Sequence, residues 1–525
     1  MKNLTIRICG MLLLGIFIWQ GCKKGDFENP KLAAHDSEFA FPLFNTNLNI
    51  SDLVGKLLKG NDTKESLVVN ADNTLTLSYS GDVSETKATK ILDFLNTVIG
   101  FPVDTSYFRY SFDLIPNGVN IRKAELNGGT IGAIIFNTLP QKIHGTFYLP
   151  QLTKNGVPYS IPFEIQPGGA GGQTIDMAGY SLLSQGNDLI IQYDAYLEDG
   201  TKILKLPGNN GIPAVVMTLQ YLTFSYLEGY WDKVEYDLNT DTIDININQI
   251  GLNGEVKVKN PKITITVYNS WGFPTRGLIK YLRFKAKNGD LLELKSPVII
   301  EGTDVGIDFN YPSFAAGEVG QTKATTFYFD ETNSNIAEIF NSNPTQMIYK
   351  VQGLANAESD PSLIGFITDT STVRMNVQVE LLLEGQLLNF PAEQNLNLDF
   401  GSFADSTGFE SAEFKLVTEN GMPMTTSMQI YFRDINDVNI DSLFADGPQD
   451  AIRSAPVDAV TGLTTGITRT ETFIPFTAAR FENLRIKAKK GFFKAAFSTA
   501  QDGAVPVKIL NNQGAVVKMG VKLKR

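Results

Sequence analysis

Side chains that alternate apolar and polar with a period of two fit an extended strand with one buried and one wet face. That alternation runs through Thr74-Leu75-Thr76-Leu77-Ser78-Tyr79, Ile243-Asp244-Ile245-Asn246-Ile247-Asn248, Lys262-Ile263-Thr264-Ile265-Thr266-Val267-Tyr268 and Val373-Arg374-Met375-Asn376-Val377-Gln378-Val379. Turn residues punctuate it at Ala71-Asp72-Asn73, Asn127-Gly128, Asn155-Gly156, Asn253-Gly254, Asn288-Gly289 and Asn420-Gly421. Asn and Gly accept the positive φ of a tight hairpin at little cost. The rhythm predicts an all-β fold, mainly antiparallel, in about three β-sandwich-like or open-sheet modules with a few short helices.

Three helices are expected. Ile50, Leu53, Val54, Leu57 and Leu58 share one helical face behind an Asn49 or Ser51 cap. Asn335 to Phe340 predicts a short one, with Asn335 and Glu338 as a capping-box-like pair and Pro344 as the stop. Ile91, Leu92, Leu95, Val98 and Ile99 recur at helical spacing within residues 87–99.

Weak internal repetition accompanies this pattern. The first two helices each follow an aromatic run, Phe39 to Phe44 and Thr326 to Phe329. A strand ends in an Asn-bearing turn, meets Pro and restarts at Phe136-Asn137-Thr138-Leu139-Pro140, at Tyr268-Asn269 through Phe273-Pro274, and at Thr418-Glu419-Asn420-Gly421-Met422-Pro423. Leu282-Arg283-Phe284-Lys285-Ala286-Lys287 is echoed by Leu484-Arg485-Ile486-Lys487-Ala488-Lys489. Three related modules explain these echoes; hairpin chemistry shared by unrelated β proteins is the competing explanation. The expected division is a tether at 22–37, a β-rich module with a short helix at 38–230, a sandwich-like module at 231–318 and a β-rich module with a short helix at 319–525.

The first residues carry an address. Lys2 and Arg7 precede an apolar run from Ile8 to Trp19, which ends at Gln20-Gly21-Cys22 and then Lys23-Lys24-Gly25-Asp26. The run is too short to span a bilayer, which takes about 20 apolar residues. The segment resembles the signal of a bacterial lipoprotein, and Lys-Lys-Gly-Asp is similar to export tags of Bacteroidetes-type surface lipoproteins. The resemblance implies that residues 1–21 are removed and that Cys22 is diacylated and becomes the new N-terminus. The body is then extracytoplasmic. Lys23, where inner-membrane lipoproteins carry Asp, implies the outer membrane. The segment from Val258-Lys259-Asn260-Pro261 to Gly272-Phe273-Pro274 resembles water-stress β-sandwich domains, from which no function is carried over.

Scarcity limits the chemistry. The only cysteines are Cys9, in the leader, and Cys22. The mature body therefore has no disulfide, thiolate nucleophile or Cys metal ligand. His35 lies in the tether, so His144 is the one imidazole left to the folded body. That excludes His-rich zinc sites and most Ser-His-Asp arrangements. The leader takes away Lys2 and Arg7 and no acid, so the formal charge moves from −11 to −13. An acidic body argues against nucleic acid as a partner.

The remaining candidates are sparse. Gln166-Pro167-Gly168-Gly169-Ala170-Gly171-Gly172-Gln173-Thr174 is Gly-rich, but Gln173-Thr174 stands where a phosphate loop needs Lys. Asp237, Asn239 and Asp241 have the alternating spacing of a Ca2+ loop, followed by Thr242 and Asn248 where such a loop needs Gly and Glu. Asp434, Asn436, Asp437, Asn439 and Asp441 form a similar oxygen-rich cluster. Arg283/Lys285/Lys287 and Arg485/Lys487/Lys489/Lys490 read as wet faces of strands, or as contacts to headgroup phosphates or an acidic glycan. Trp231 and Trp271, both among turn residues, are candidates for stacking on sugar rings or for the core.

The sequence thus points to a lipid-anchored, non-enzymatic envelope protein acting as a binding or structural module. It needs no cofactor beyond the lipid on Cys22, and its partners are the membrane and an envelope protein or polysaccharide. One alternative is a carbohydrate-binding surface lipoprotein of a glycan uptake system. The other is a lipid carrier with an apolar cavity.

Overall fold

A computed structural model describes residues 38–50, 65–88, 97–103, 105–111, 119–184, 188–208, 211, 213–245, 255–300, 303–397 and 409–524. Cys22, the leader, the tether with His35, and the alternation beyond Ile245 lie outside them. So do most of the helices expected at 50–58 and 87–99. Val98 and Ile99, expected to close the second of these, instead begin the strand Val98–Pro102.

Among the described residues strands take 62% and helices 4%, so the fold is all-β. Every strand pair among the described residues is antiparallel. The sheets form three stacks, and the chain threads them in a nested order. It starts in an outer stack, where Glu38–Asn49 pairs with the last strand, Gly514–Lys524. Glu65–Val69 and Leu75–Lys87 then belong to a middle stack. Residues 98–231 build most of an inner stack. The chain then returns to the middle one, adds Ile364–Thr368 to the inner sheet, re-enters the middle one at Thr372–Leu382 and ends in the outer one. Residues 38–230, expected as one module, therefore contribute strands to all three stacks, and 319–525 to more than one.

In the inner stack, Val119–Phe136 pairs with Val215–Trp231 and Ala170–Asp176. Ile143–Lys154 pairs with Val157–Ile165 and Asp188–Leu197. The short strand Ser181–Leu183 pairs with both groups and joins them in one folded sheet. The middle stack sets Leu75–Lys87, Thr372–Leu382, Lys262–Asn269 and Lys323–Phe329 against a second sheet of Val234–Asp244, Pro344–Ala355 and Thr275–Ala286. Ile265, Val267, Met375 and Val377 from the first meet Ile279, Met347, Tyr349 and Val351 from the second, around an apolar void of about 20 Å3. In the outer stack, Glu38–Asn49, Gly514–Lys524, Ser411–Asn420 and Thr468–Thr477 form one sheet. Phe390–Asn397, Lys490–Thr499 and Met424–Arg433 form the sheet facing it. One continuous core fills the inner and middle stacks, and a second fills the outer one.

The three Asn-bearing turns prove to be one device, used once in each stack. Asn137, Asn269 and Asn420 are buried. Each Oδ1 accepts the backbone N–H two residues on, from Leu139 at 3.0 Å, Trp271 at 2.9 Å and Met422 at 2.9 Å. Each Nδ2 donates to carbonyls of a distant segment: Ile165 and Gln166, Asn310, and Arg453. In the middle and outer stacks this turn carries the chain from one sheet to the facing one, which a hairpin does not do. The repetition is therefore structural.

The helix expected at 335–340 forms as Ile336–Asn341. Its cap differs from expectation, because Asn335 Oδ1 accepts the Lys295 N–H at 2.7 Å and caps no helical N–H. Arg283 and Lys285 alternate with buried Leu282, Phe284 and Ala286 on the Thr275–Ala286 strand, as wet-face residues should. Arg485 and Lys487 do not lie on a strand. They end a helix, Ala478–Lys487, in which Thr477 Oγ1 caps Arg480 N at 3.2 Å and Phe481 and Leu484 are buried. Inward residues three apart, behind a Thr cap, outweigh the local alternation of Leu484 to Lys489.

Candidate functional site

The outer sheet presents a groove on its exposed face. Register places three rows across the four strands: Ala40–Lys522–Glu413–Pro475, Pro42–Gly520–Lys415–Phe473 and Asn45–Lys518–Val417–Glu471. Met519 and Val521 turn into the core, so Gly520 faces outward and has no side chain to fill the middle row. The result is an open depression of about 650 Å3 lined by the residues of these rows other than Pro475 and Glu471. Lys518 and Lys522 flank it about 13 Å apart along their strand. The Phe473 ring is 53% exposed at its edge. Lys415 Nζ stands 5.0 Å above that ring and 2.9 Å from Glu471 Oε2. Lys415, by donating to Glu471, holds that carboxyl below its ordinary range. Lys518 has no ion pair among the described residues. A mostly apolar floor with lysines at its rim can grip an anionic chain, and the aromatic face can pack on a flat ring.

This site was not singled out from sequence. Its signal was the alternation Val516-Val517-Lys518-Met519-Gly520-Val521-Lys522-Leu523-Lys524, in which Gly replaces the middle outward residue.

The residues that were singled out lie elsewhere. Trp231 and Trp271 are wholly buried and offer no face to a sugar. Trp231 ends its strand with its carbonyl bonded to Asn356 Nδ2 at 2.9 Å, and its indole stacks on Phe273 at 4.1 Å. Trp271 is turned inward by Asn269 and meets Tyr236 edge-on at 5.9 Å. Asp237, Asn239 and Asp241 sit on the Val234–Asp244 strand, paired to Pro344–Ala355 with a bulge between Asp237 and Asn239. That backbone is extended and lacks the closed loop that Ca2+ ligation of this type requires. Asp237 Oδ1 accepts from Gln352 Nε2 at 2.8 Å.

In the second acidic cluster, Asp434 caps its own turn, Asp437 pairs with Lys490 and Asp441 pairs with Arg480. The Gly-rich segment is the turn after Val157–Ile165 together with the first part of the strand Ala170–Asp176. His144 lies on the Ile143–Lys154 strand and stacks with Tyr196 at 5.9 Å.

No protein-family model matches the chain, and no curated protein does. Among solved structures, one described as a "putative secreted protein" from Parabacteroides distasonis is 14% identical, covering 57% of this chain and 89% of that one with a TM-score of 0.31. The CBM22-1–CBM22-2 tandem domain of Xyn10C from Paenibacillus barcinonensis is 7% identical, covering 58% of this chain and 87% of that one at 0.14. A structure of infectious bursal disease virus, Gx strain, is 9% identical, covering 89% and 81% at 0.13. Scores this low carry no argument about fold or function.

Proposed function

We propose that the chain is a lipid-anchored, non-enzymatic protein of the cell envelope that binds another envelope component through the groove over Gly520. The row Pro42–Gly520–Lys415–Phe473 carries this reading, because it opens an apolar floor beneath lysines on an otherwise acidic molecule. The anchor rests on the leader and Cys22, and the outer membrane on Lys23.

An acidic polysaccharide is the occupant that Phe473 and the lysines favour. The exposed phenyl ring takes the stacking part first sought in Trp231 and Trp271. The lipid-carrier reading draws no support from the apolar voids between the middle sheets and beside Ser181–Leu183, which are about 20 Å3 each, too small for an acyl chain.

Two measurements test the proposal. Palmitate labelling should disappear in Cys22→Ala; persistence removes the anchor. Binding to an array of acidic glycans should be lost in Phe473→Ala and in Lys518→Glu with unfolding unchanged. Binding undiminished in both variants removes the groove.

A further inference from the structure

The outer stack has two ends, and the chain enters at only one of them. The row Glu38–Lys524–Ser411–Thr477 closes the sheet at the entry end. Thr477 caps the helix Ala478–Lys487, which crosses to the facing sheet, where Lys489 N donates to Arg433 O at 2.9 Å. Beside it the turn after Arg433 returns to Asn439. Arg480 of the helix pairs with Asp441, on the strand after the turn, at 2.9 Å, and Lys490, which begins the next strand, pairs with Asp437 of the turn at 3.0 Å.

This end exposes three aliphatic side chains that the core does not use: Ile435 at 69%, Val438 at 59% and Ile486 at 55%. Lys487 and Lys489, just after Ile486, are exposed and have no ion pair among the described residues. The acids nearby are engaged, Asp437 and Asp441 as above, Glu482 with Arg485 and Glu410 with Lys524. Asp434 accepts the N–H groups of Asn436 and Val438. Residues 433–441 and 480–490 together hold six basic and four acidic residues, a local excess of positive charge on a chain of −11.

We propose that Ile435, Val438 and Ile486, ringed by Lys487 and Lys489, seat this end of the protein on a bilayer bearing anionic headgroups. The inference rests on the reading of Cys22 as the anchor. From Cys22 to Glu38 the chain can reach about 55 Å at most, and it joins the fold at this end. Aliphatic side chains settle at the acyl boundary and lysines at the phosphates, each lysine adding to the attraction. The Gly520 groove runs along the outer face of the same sheet and would stand clear of the bilayer, open to a soluble partner.

The body is otherwise free of cysteine, so single thiols report position. Lipidated Ile486→Cys and Ile435→Cys proteins are labelled with an environment-sensitive fluorophore. They are reconstituted into phosphatidylethanolamine vesicles with about a quarter phosphatidylglycerol. Both labels should shift to the blue and be quenched by nitroxide lipids, whereas a label at Val460→Cys, on the loop leading to the sheet's other end, should not. Quenching at 486 and 435 no greater than at 460, with the protein still held by its lipid, overturns the inference. A second arm does not need the anchor. Cys22→Ala protein should bind the same vesicles weakly, and Lys487→Glu with Lys489→Glu should reduce that affinity at least about tenfold. Binding indifferent to these changes or to phosphatidylglycerol also overturns it. Wild type that fails to stay with membranes refutes the anchor alone.

Discussion

Asn269 and Asn420 make the same contacts in two different stacks of sheets: each accepts the N–H two residues ahead and donates its amide to a carbonyl far along the chain. Asn420 also donates to Met424 O at 2.9 Å, so one side chain satisfies three backbone groups, two of them in buried bonds. Alanine there leaves those groups without partners, each at about 1–3 kcal/mol when no water reaches it. Asn420→Ala should therefore lower stability by about 3 kcal/mol, read from urea unfolding. Asn420→Asp keeps the acceptor and loses both donors, and it should cost nearly as much. A loss below about 1 kcal/mol in both variants would mean that the turn holds its shape without the amide.

Gly365 lies against the stacked rings of Trp231 and Phe273. A Cβ there would stand 2.6 Å from Phe273 Cβ and 2.9 Å from Trp231 Cδ1. Neither neighbour has room to retreat, since both rings are wholly buried. Gly365→Ala should cost about 1–3 kcal/mol and weaken the near-ultraviolet circular dichroism of the indoles. Trp231→Phe should be milder than most losses of a buried aromatic. The indole Nε1 has no partner among the described residues, so its removal abandons no hydrogen bond.

The groove can be closed without touching the core. Gly520 faces outward between inward Met519 and Val521, and a β-branched residue suits an extended strand. Gly520→Val should leave the unfolding midpoint unchanged or slightly raised, while binding of the groove's occupant falls at least about tenfold, measured by calorimetry. A binding loss that came with a comparable loss of stability would return Gly520 to a purely structural role.

Arg480 holds the second helix to the outer core. Its Nε and Nη2 reach Asp441 at 2.9 to 3.0 Å, and its guanidinium lies 3.9 Å above the Phe476 ring. Lysine has neither the fork nor the flat face. Arg480→Lys should cost about 1–3 kcal/mol by thermal unfolding, nearly as much as Arg480→Ala. A silent lysine variant would show that charge alone suffices there.

Local pattern carried the strand content. Lys262 to Tyr268 and Val373 to Val379 became adjacent strands of one sheet, with Ile263, Ile265 and Val267 turned inward as their alternation required. Asn155-Gly156 formed its positive-φ turn. The nested order was not legible, because Glu38 finds Lys524 through a complementarity of edges that no short window contains. The helix at 478–487 was hidden by a stretch that alternates like a strand, and only Phe481 with Leu484 reveals the other period. Trp231 and Trp271 sit among turn residues, and their burial depends on Phe273 and Gly365 arriving from separate segments. The groove escaped notice because it depends on a missing side chain at Gly520 and on neighbours supplied by three other strands.

Glu318 supplies a pH test. Its carboxylate accepts from Lys323 Nζ at 2.8 Å and from the Ser313 N–H and Oγ at 2.8 and 2.7 Å. Those bonds, that from Lys323 first, lower its pKa from 4.5 to about 2. A carboxyl lowered on folding stabilises the folded form fully above its unfolded value, and that contribution is lost as pH falls through the folded one. The clasp between Ser313 and Lys323 should therefore hold at neutral pH and loosen progressively between pH 4.5 and about 2. Hydrogen exchange of residues 313–323, corrected for the intrinsic rate at each pH, should rise across that window. In Glu318→Gln the segment should exchange faster at neutral pH, and the acid-dependent rise should flatten. A wild-type segment whose corrected protection stays level down to about pH 2 would show that Glu318 does not hold the loop.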